Sequence, residues 1–305
     1  MNKEFLDLAE QLKSSVSCTV RLNELMSGHT SFKIGGPADI LVLPESIEQL
    51  REVLEVVKET VVPLTLLGNG SNVLVRDKGI RGIVIKLGNM LRHFYEAEDL
   101  LVFGSGYSLA LASYKAMECG KTGMEFAVGI PGSIGGAVYM NAGAYDGEMQ
   151  NIVNCVKVMD LQGNERVLTA EELNFGYRKT SLQNSGLIVT EVTLKMPSGN
   201  KDEIKSKMDD FSHRRISKQP LEMPSAGSMF KRPPGYFAGT LIDQAGLKGY
   251  TVGGAQISTK HAGFVVNVGG ATAADVLQLI KDVQTKIKAG VGVELQPEVL
   301  VIGEE

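Results

Sequence analysis

The sequence predicts an α+β protein of two or three domains. Its 305 residues exceed the length of a typical single small domain. Short apolar segments, typical of strands, are interspersed with longer amphipathic segments, typical of helices. A run at 123–147 mixes many glycines with apolar residues such as Ile134 and Val138. Because glycine permits close backbone approach, this run predicts an ordered, buried loop around a ligand.

The elements are expected in the following order. Phe5, Leu8 and Leu12 share one face of an N-terminal amphipathic helix, which is therefore not a signal peptide, and an irregular segment follows. Ser46 with Gln49 predicts a capping box, and Thr272 with Asp275 predicts another. Strands are expected at 39–43, 64–67, 73–75, 82–86, 100–103, 153–160, 165–169, 187–194 and 291–302, and helices after Ser46, at 108–120, at 202–215 and at 272–290.

The composition is that of a soluble globular enzyme in the cytoplasm. Hydrophobic residues make up 43% of the chain and charged residues 22%, with a net charge of −4, so there is no basic footprint for nucleic acid. The three cysteines are far apart and are expected to be reduced. No apolar run reaches membrane length, and no Cys/His cluster indicates a metal site.

Two glycine loops predict a phosphate-binding site. The first is GNGSN at 68–72, and the second is the long run that contains Gly129, Gly132 and Gly136. Successive backbone N–H groups in such loops form anion-binding nests, and two nests favour a ligand with two or more phosphates. Plain turns are the alternative, since Asn-Gly is a strong turn signal. Neither loop has the spacing of a nucleotide-triphosphate or Rossmann phosphate loop.

Polar residues within apolar or glycine-rich surroundings are candidates for catalysis. Arg178 beside Tyr177 can hold a carboxylate in bidentate fashion. Ser228 can present its hydroxyl to a ligand, and Glu298 stands in an apolar terminal segment, where its burial is costly unless it is paired. Taken singly, each has another reading: Arg178 as a surface residue, Ser228 as a turn cap, and Glu298 on an exposed edge strand.

The order of the motifs identifies a family. From residue 30 to residue 298 the chain reads TSFKIGGPAD, GNGSNVLV, GIPGSIGGAVYMNAGAY, FGYRKTSL, PSAGSMFKRP, HAGF and QPEV. In this order they closely resemble the UDP-N-acetylenolpyruvoylglucosamine reductases, the MurB family of flavoenzymes in bacterial cell-wall synthesis. The resemblance implies an FAD-binding domain of the vanillyl-alcohol-oxidase (PCMH) type and a smaller α+β substrate domain. The implied division is 1–78 with 291–305, where the C-terminal strand folds back, then 79–196, then 197–290.

The resemblance also implies non-covalent FAD, with both glycine loops on its pyrophosphate. Neither loop contains a histidine to which the flavin could be attached. The implied cofactor-binding residues are Gly68, Asn69, Gly70, Ser71, Asn72, Gly129, Ile130, Pro131, Gly132, Ser133, Gly135, Gly136, Asn141, Ala142, Gly143 and Arg214.

By the same resemblance, NADPH reduces FAD, and a hydride then passes to the enolpyruvyl group of UDP-N-acetylglucosamine enolpyruvate. Ser228 matches the family's proton donor, while Arg178 and Glu298 match the residues that polarise the substrate carboxylate. We hypothesise that Lys218 or Lys231 supports the serine. The residues implied on the substrate side are Tyr177, Lys218, Lys231, Arg232 and His261.

One departure concerns the closure of the substrate site. Arg178 and Ser228 are 50 positions apart, too few for the tyrosine-bearing insertion of one subclass, so the chain resembles the shorter subclass. The alternatives are a related FAD oxidase acting on another substrate, or a non-catalytic sensor that binds a UDP-sugar or flavin. Small molecules are the expected partners, without membrane insertion or an obligate protein partner.

Overall fold

The computed structural model of the protein describes residues 3–58, 60–88 and 91–305. Met1 and Asn2, part of the predicted N-terminal helix, lie outside the described residues. The helices are α1 (Lys3–Ser15), α2 (Ile47–Val57), α3 (Leu109–Glu118), α4 (Ile134–Tyr139), α5 (Lys201–Lys218), α6 (Ala238–Gln244) and α7 (Ala273–Val291).

The strands are short, as the sequence predicts. They are β1 (Thr19–Leu25), β2 (Pro37–Leu43), β3 (Leu64–Leu67), β4 (Val73–Val75), β5 (Ile80–Lys86), β6 (Phe94–Ala97), β7 (Leu100–Gly104), β8 (Gly143–Ala144), β9 (Gly147–Glu148), β10 (Val153–Met159), β11 (Glu165–Thr169), β12 (Ile188–Lys195), β13 (Ser225–Ser228), β14 (Thr251–Val252), β15 (Ala255–Ile257), β16 (Phe264–Asn267) and β17 (Leu300–Ile302). A four-stranded sheet has the order β1-β2-β5-β3.

The chain divides into two compact units. The first comprises Met1–Arg21, Ile40–Asn69 and Ile83–Arg215. The second comprises Leu22–Asp39, Gly70–Gly82 and Ile216–Glu305.

The core of the first unit forms around a five-stranded sheet of order β11-β10-β12-β7-β6, whose neighbouring strands are antiparallel. Val156 pairs with Val192, and Val192 pairs with Phe103, so three fully buried side chains cross the sheet in one row. Ile134 and Val138 of α4 and Leu109 of α3 join this apolar cluster. Burial of these side chains therefore fixes the glycine run against the sheet.

Helix α5 packs by one stripe onto the same unit. Ile204, Met208 and Phe211 follow one another at helical spacing and are buried together with Val128. The side chain of Asn200 accepts hydrogen bonds from the backbone at the start of the helix. This packing brings the end of α5 close to the glycine run.

The second unit contains a four-stranded sheet of order β13-β16-β15-β14. Its core includes Val265 of the sheet, Leu241 of α6, and Val276 and Ile280 of α7. The predicted capping box of α7 is confirmed, since Thr272 and Asp275 exchange their side-chain hydrogen bonds, and Gly292 ends the helix in the left-handed conformation at φ +75°.

Several expectations for the elements are wrong. The strand expected at 291–302 is confined to β17, because α7 extends to Val291 and Pro297 has no N–H to donate. Strand β17 pairs in parallel with β4, with Val301 opposite Leu74. The segment expected to be irregular after α1 contains β1, and the glycine run contains α4. At Ser46 only half of the predicted box forms, because the Gln49 side chain accepts from Glu45 instead.

Two findings bear on the class of protein. Among the described residues, no helix combines the length and apolarity that a membrane crossing requires. Within 3–58, 60–88 and 91–305, no three His, Cys, Asp or Glu side chains gather as a metal site would require.

Candidate functional site

The first glycine loop meets the second in the first unit. A Cβ added to Gly68 would lie 3.5 Å from the Ser133 hydroxyl. With the Asn69 amide oriented to satisfy its neighbours, its nitrogen donates to Gly88 O at 3.2 Å and its oxygen accepts from Ser133 N at 3.3 Å. Residues 65 positions apart in the sequence therefore form one polar surface rich in backbone amides.

The glycine run approaches its neighbours too closely for side chains. A Cβ on Gly135 would lie 2.8 Å from the Ser105 Cβ, and the Gly135 N–H donates to Ser105 O at 2.9 Å. Gly129 and Gly132 have φ values of +72° and +129°, which glycine adopts without strain. Ser133 caps α4 by accepting from Gly136 N. Four more of the residues predicted on the cofactor side belong to this run: Ile130, Pro131, Ala142 and Gly143.

A buried arginine lies against this run. Arg215 is 8% exposed, and a Cβ on Gly129 would lie 2.9 Å from its Cδ. Its guanidinium carbon is 5.9 Å from the centre of the Tyr145 ring. Burial lowers the pKa of Arg215, but an arginine keeps its charge in a protein, so a cation is held beside the glycine loop.

Arg214, predicted to reach the cofactor, is exposed and forms a salt bridge with Asp210 at 2.7 Å. The two arginines are adjacent and therefore project from different sides of α5. The sequence carried a signal for Arg215, because it continues the apolar stripe of Ile204, Met208 and Phe211. A charged residue in such a stripe is a candidate for a buried functional group.

Arg178 lies in a tight turn of the first unit. The backbones of Gly176 and Lys179 exchange two hydrogen bonds, which leaves Tyr177 and Arg178 in the turn. The Arg178 guanidinium donates to Asn141 O at 3.3 Å and to Gly143 O at 3.0 Å, and it lies 5.0 Å from the Tyr177 ring. The predicted carboxylate-binding arginine is thus fixed to the glycine run.

In the second unit, the structure brings Ser228 and Glu298 onto neighbouring segments. Glu298 N donates to Met229 O at 2.9 Å, and Lys231 N donates to Gln296 O at 2.8 Å. A bridge joins Phe230 to Pro297. Ser228 is exposed at the end of β13 and Glu298 is half-buried, and the two residues lie on adjacent, backbone-paired segments.

The remainder of the first glycine loop supports this arrangement. Asn72 Nδ2 donates to Glu298 O at 3.4 Å, and Asn72 O accepts from Leu300 N at 3.0 Å. Gly70 has φ +68° and its carbonyl accepts from Ser31 N at 3.0 Å. Asn72 therefore anchors the C-terminal segment, a role that sequence reasoning missed. Ser71 lies between these two residues.

His261 is a neutral hydrogen-bonding group in this unit. Burial lowers its pKa below the ordinary value, and its Nδ1 accepts from Gly263 N at 3.1 Å, so Nε2 carries the proton. Gly263 O accepts from Met229 N at 2.8 Å, next to Ser228. The other three predicted substrate-side residues of this unit are Lys218 and Arg232, which are exposed, and Lys231, which is half-buried.

Comparison with known proteins identifies the class of this site. A family model described as an FAD-binding domain matches residues 38–169, and a model of the C-terminal domain of UDP-N-acetylenolpyruvoylglucosamine reductase matches residues 219–302. The fold and the paired glycine loops thus belong to an FAD-dependent oxidoreductase.

Relatives over nearly the whole chain give the family. The reductase of this name from Clostridioides difficile strain 630 is 49% identical over 94% of each chain. That from Clostridium perfringens strain SM101 is 50% identical over 99% of this chain and 98% of its own. The crystal structure of the Thermus caldophilus enzyme superposes with a TM-score of 0.78 at 38% identity, over 93% of this chain and 98% of that one. The chain belongs to the UDP-N-acetylenolpyruvoylglucosamine reductase family.

The residues of the first unit fit FAD. A pyrophosphate carries negative charge and needs several donors at close range. Gly129 and Gly132 allow the backbone conformations that the loop needs, at positive φ. Asn69 and Ser133 supply an amide and a hydroxyl group, and Arg215 supplies a buried positive charge. A side chain at Gly129 would collide with Arg215, and a side chain at Gly135 would collide with Ser105. Glycine is therefore required at both positions, and the backbone N–H groups of the loop are not covered by side chains there.

Proposed function

We propose that the protein reduces UDP-N-acetylglucosamine enolpyruvate to UDP-N-acetylmuramate with electrons from NADPH, a step in the synthesis of peptidoglycan precursors. The observation that carries the proposal is the backbone pairing of Met229 with Glu298, which brings the segment of Ser228 next to the segment of Glu298. Family membership supports the identity of the substrate.

FAD, which residues 68–72, the glycine run and Arg215 would hold, would supply the hydride transfer from NADPH to the enolpyruvyl double bond. The protein's own residues act on the charge that then develops on the substrate. Arg178 stabilises the negative charge of the carboxyl-bearing carbon through its guanidinium. Glu298 polarises the same carboxyl group.

Ser228 completes the reaction by giving its hydroxyl proton to the carbanion, which forms the new C–H bond. A serine hydroxyl is a weak acid, so the resulting alkoxide must regain a proton from a nearby group. Lys218 or Lys231 fills this role in the proposal. The assignment of Arg178 to the same reaction as Ser228 and Glu298 rests on the family resemblance.

The remaining assignments are also proposals. We assign Tyr177, Arg232 and His261 to the UDP-sugar, and residues 68–72, the glycine run 129–143 and Arg215 to FAD, with Arg214 left as a surface residue. The division into 1–78 with 291–305, 79–196 and 197–290 is proposed as the functional one, and the pairing of β17 with β4 supports its first part. The cytoplasm is the proposed location, with no obligate protein partner.

The decisive experiment is the visible absorption spectrum of the purified protein, recorded anaerobically. NADPH is expected to bleach the flavin bands, and the enolpyruvyl UDP-sugar is expected to restore them. Recovery only on admission of oxygen would replace the proposal by an oxidase acting on another substrate. A protein that binds the UDP-sugar but cannot be loaded with FAD would instead indicate a sensor.

A further inference from the structure

Arg178 has a strained backbone in its turn. Gly176 N donates to Lys179 O at 2.9 Å, and Lys179 N donates back to Gly176 O at 3.1 Å. Arg178 has φ +55°, the left-handed region in which glycine or asparagine normally stands. A side chain held in this conformation persists only where its surroundings enforce it, and such strain is concentrated at functional sites.

Asn141 holds this turn at two points. Its backbone carbonyl accepts from Arg178 Nη1 at 3.3 Å, and its side-chain Nδ2 donates to Gly176 O at 3.0 Å. Asn141 is fully buried, at 0% exposure, and has a φ of +42°. One residue thus fixes both the guanidinium and the first residue of the turn that carries it.

The side chain of Asn141 is engaged within the protein on every polar atom. Besides the bond to Gly176, Nδ2 donates to Glu148 Oε2 at 3.1 Å, and Oδ1 accepts from Gln150 N at 3.0 Å. This pattern needs two donors and one acceptor on a short side chain, which asparagine has and aspartate lacks. The contact with FAD implied for residue 141 therefore falls to its backbone.

A second set of bonds ties the far side of the turn to the same segment. Thr180 Oγ1 donates to Tyr139 O at 2.9 Å. Gln183 Nε2 lies 3.2 Å from both Tyr139 O and Arg178 O. The turn is thus held on both flanks by residues 139–143, and the backbone carbonyls of Asn141 and Gly143 are the groups that reach the guanidinium.

We propose that Asn141 is the positioning residue that fixes the Arg178 guanidinium for the carboxyl group of the enolpyruvyl substrate. The inference rests on the proposed function, because it needs Arg178 to act on that substrate. Asn141 acts through Arg178 and not on the substrate. Loss of its amide leaves Gly176 O with the Lys179 N–H but without the bond that ties the turn to Asn141, and this allows the strained turn to relax and moves the guanidinium.

The test separates the two half-reactions of the holoenzyme. Asn141→Ser is expected to slow reoxidation of the reduced flavin by the enolpyruvyl UDP-sugar about 10- to 100-fold at saturating sugar, since small misplacements of a catalytic group have this effect. Flavin reduction by NADPH is expected to stay within about threefold. The matched control is Thr190→Val, which removes the bond from Thr190 Oγ1 to Lys157 O, also in the first unit.

A double-mutant cycle distinguishes positioning from general destabilisation. In an Arg178→Ala background, Asn141→Ser is expected to add less than about twofold to the loss in reoxidation rate, because its effect runs through the arginine. Equal slowing of both half-reactions, matched by Thr190→Val at the same loss of thermal stability, would overturn the proposal. So would additive effects of Asn141→Ser and Arg178→Ala.

A second variant gives a pH signature. Asn141→Asp places a carboxyl group beside the Glu148 carboxylate in a buried site, and both burial and like charge raise the pKa of the new group. Only its protonated form can donate to Gly176 O. The reoxidation rate relative to wild type is therefore expected to rise as the pH falls, and a flat ratio contradicts the proposal.

Wild-type controls keep this test apart from that of the proposed function. If the sugar fails to reoxidise the wild-type flavin, the proposed function fails before Asn141 is examined. If the sugar reoxidises the wild type while Arg178→Ala is unaffected, the role of the arginine fails, and the positioning proposal fails with it.

Discussion

The backbone N–H of Glu298 donates to the carbonyl of Met229 at 2.9 Å. This bond joins residues 69 positions apart and places the segment after β13 beside the segment before β17. Because Ser228 directly precedes Met229, two motifs that are distant in the sequence lie on adjacent segments. The proposed reaction requires this proximity.

Replacing Ser228 by alanine removes the proposed proton donor. We expect flavin reduction by NADPH to be unchanged and reoxidation by the enolpyruvyl UDP-sugar to slow by about 10²- to 10⁴-fold, the usual contribution of a general acid. Anaerobic stopped-flow absorbance measures each half-reaction separately. Ser225→Ala, three residues earlier in β13, is the control and is expected to affect neither half. Equal slowing of both halves by Ser228→Ala would remove its role as proton donor.

Replacing Glu298 by glutamine tests the carboxyl group without changing its size. We expect reoxidation to slow by about 10²-fold, the effect of losing one group that stabilises developing charge. The control is Glu294→Gln, which loses only a surface ion pair with Lys288 at 2.8 Å, and an exposed pair of this kind contributes little to stability. Single-turnover kinetics of flavin reoxidation are measured for both variants. Identical reoxidation rates for Glu298→Gln and Glu294→Gln would contradict the proposed role of Glu298.

Local rules predicted the ends of several elements. The strand at 64–67 has the expected bounds, and Ser108 and Thr272 cap their helices as expected. These successes share a cause, because a capping side chain, or a proline directly before a short apolar segment, acts within a few residues.

Other features of the fold and of the candidate site depend on contacts between residues that are distant in the sequence, and local patterns do not encode these contacts. Helix α4 contains two glycines, which disfavour helix, and it is stabilised by burial of Ile134 and Val138 in the core of its unit. Strand β13 pairs with β16, which lies 36 residues further along the chain at its nearest end. The motifs made Arg178, Ser228 and Glu298 candidates, and these remain predictions. The proposal of Arg215 in place of Arg214 depended on the packing of α5, which the sequence alone does not give.

Arg215 is expected to matter for FAD and Arg214 is not. Arg215→Ala removes a buried charge beside Gly129, and a hydrogen bond to a charged group contributes about 1.5–3 kcal/mol. FAD affinity of the apoprotein should therefore fall about 10- to 100-fold. Titration with FAD, followed by quenching of flavin fluorescence, measures this change. The control is Arg214→Ala, which loses an exposed ion pair with Asp210. A larger loss of FAD affinity in Arg214→Ala than in Arg215→Ala would support the prediction from the sequence that Arg214 binds the cofactor.

The capping box of α7 predicts an acid-dependent loss of stability. Backbone and side-chain hydrogen bonds from Thr272, together with one from Gly254, lower the pKa of Asp275. A lowered folded-state pKa means that the stabilisation is complete above the unfolded-state value and is lost as the pH falls through the folded-state value. We expect Asp275→Asn to lower the Tm by about 2 °C at pH 7.

The same variant should show a smaller fall in Tm between about pH 5 and about pH 3 than the wild type, because it has no carboxylate to protonate. Calorimetry of both holoenzymes at these pH values measures the difference. Asp209→Asn, in an exposed pair with Lys205 on α5, is the control. A wild type and an Asp275→Asn variant with parallel Tm curves would show that the box contributes nothing to acid sensitivity.

Alanine substitutions at two glycines with similar backbone conformations distinguish the cost of backbone strain from the cost of a steric collision. Gly129 has φ +72° and Gly163 has φ +83°, so alanine at either position carries a conformational cost of about 1–2 kcal/mol. A Cβ at Gly163 meets nothing within 4 Å, whereas one at Gly129 meets Arg215 Cδ at 2.9 Å. Only the second substitution must displace the buried arginine.

Gly129→Ala is therefore expected to lower the Tm further than Gly163→Ala and also to weaken FAD binding about 10-fold or more, by moving the Arg215 charge. Gly163→Ala should bind FAD as the wild type does, because its hairpin joins β10 and β11 on the sheet. Thermal melts and FAD titrations of the two apoproteins provide the comparison. Equal losses of Tm in Gly129→Ala and Gly163→Ala, with unchanged FAD affinity in both variants, would mean that Arg215 can move without cost. Arg215 would then not be part of the site that binds the pyrophosphate.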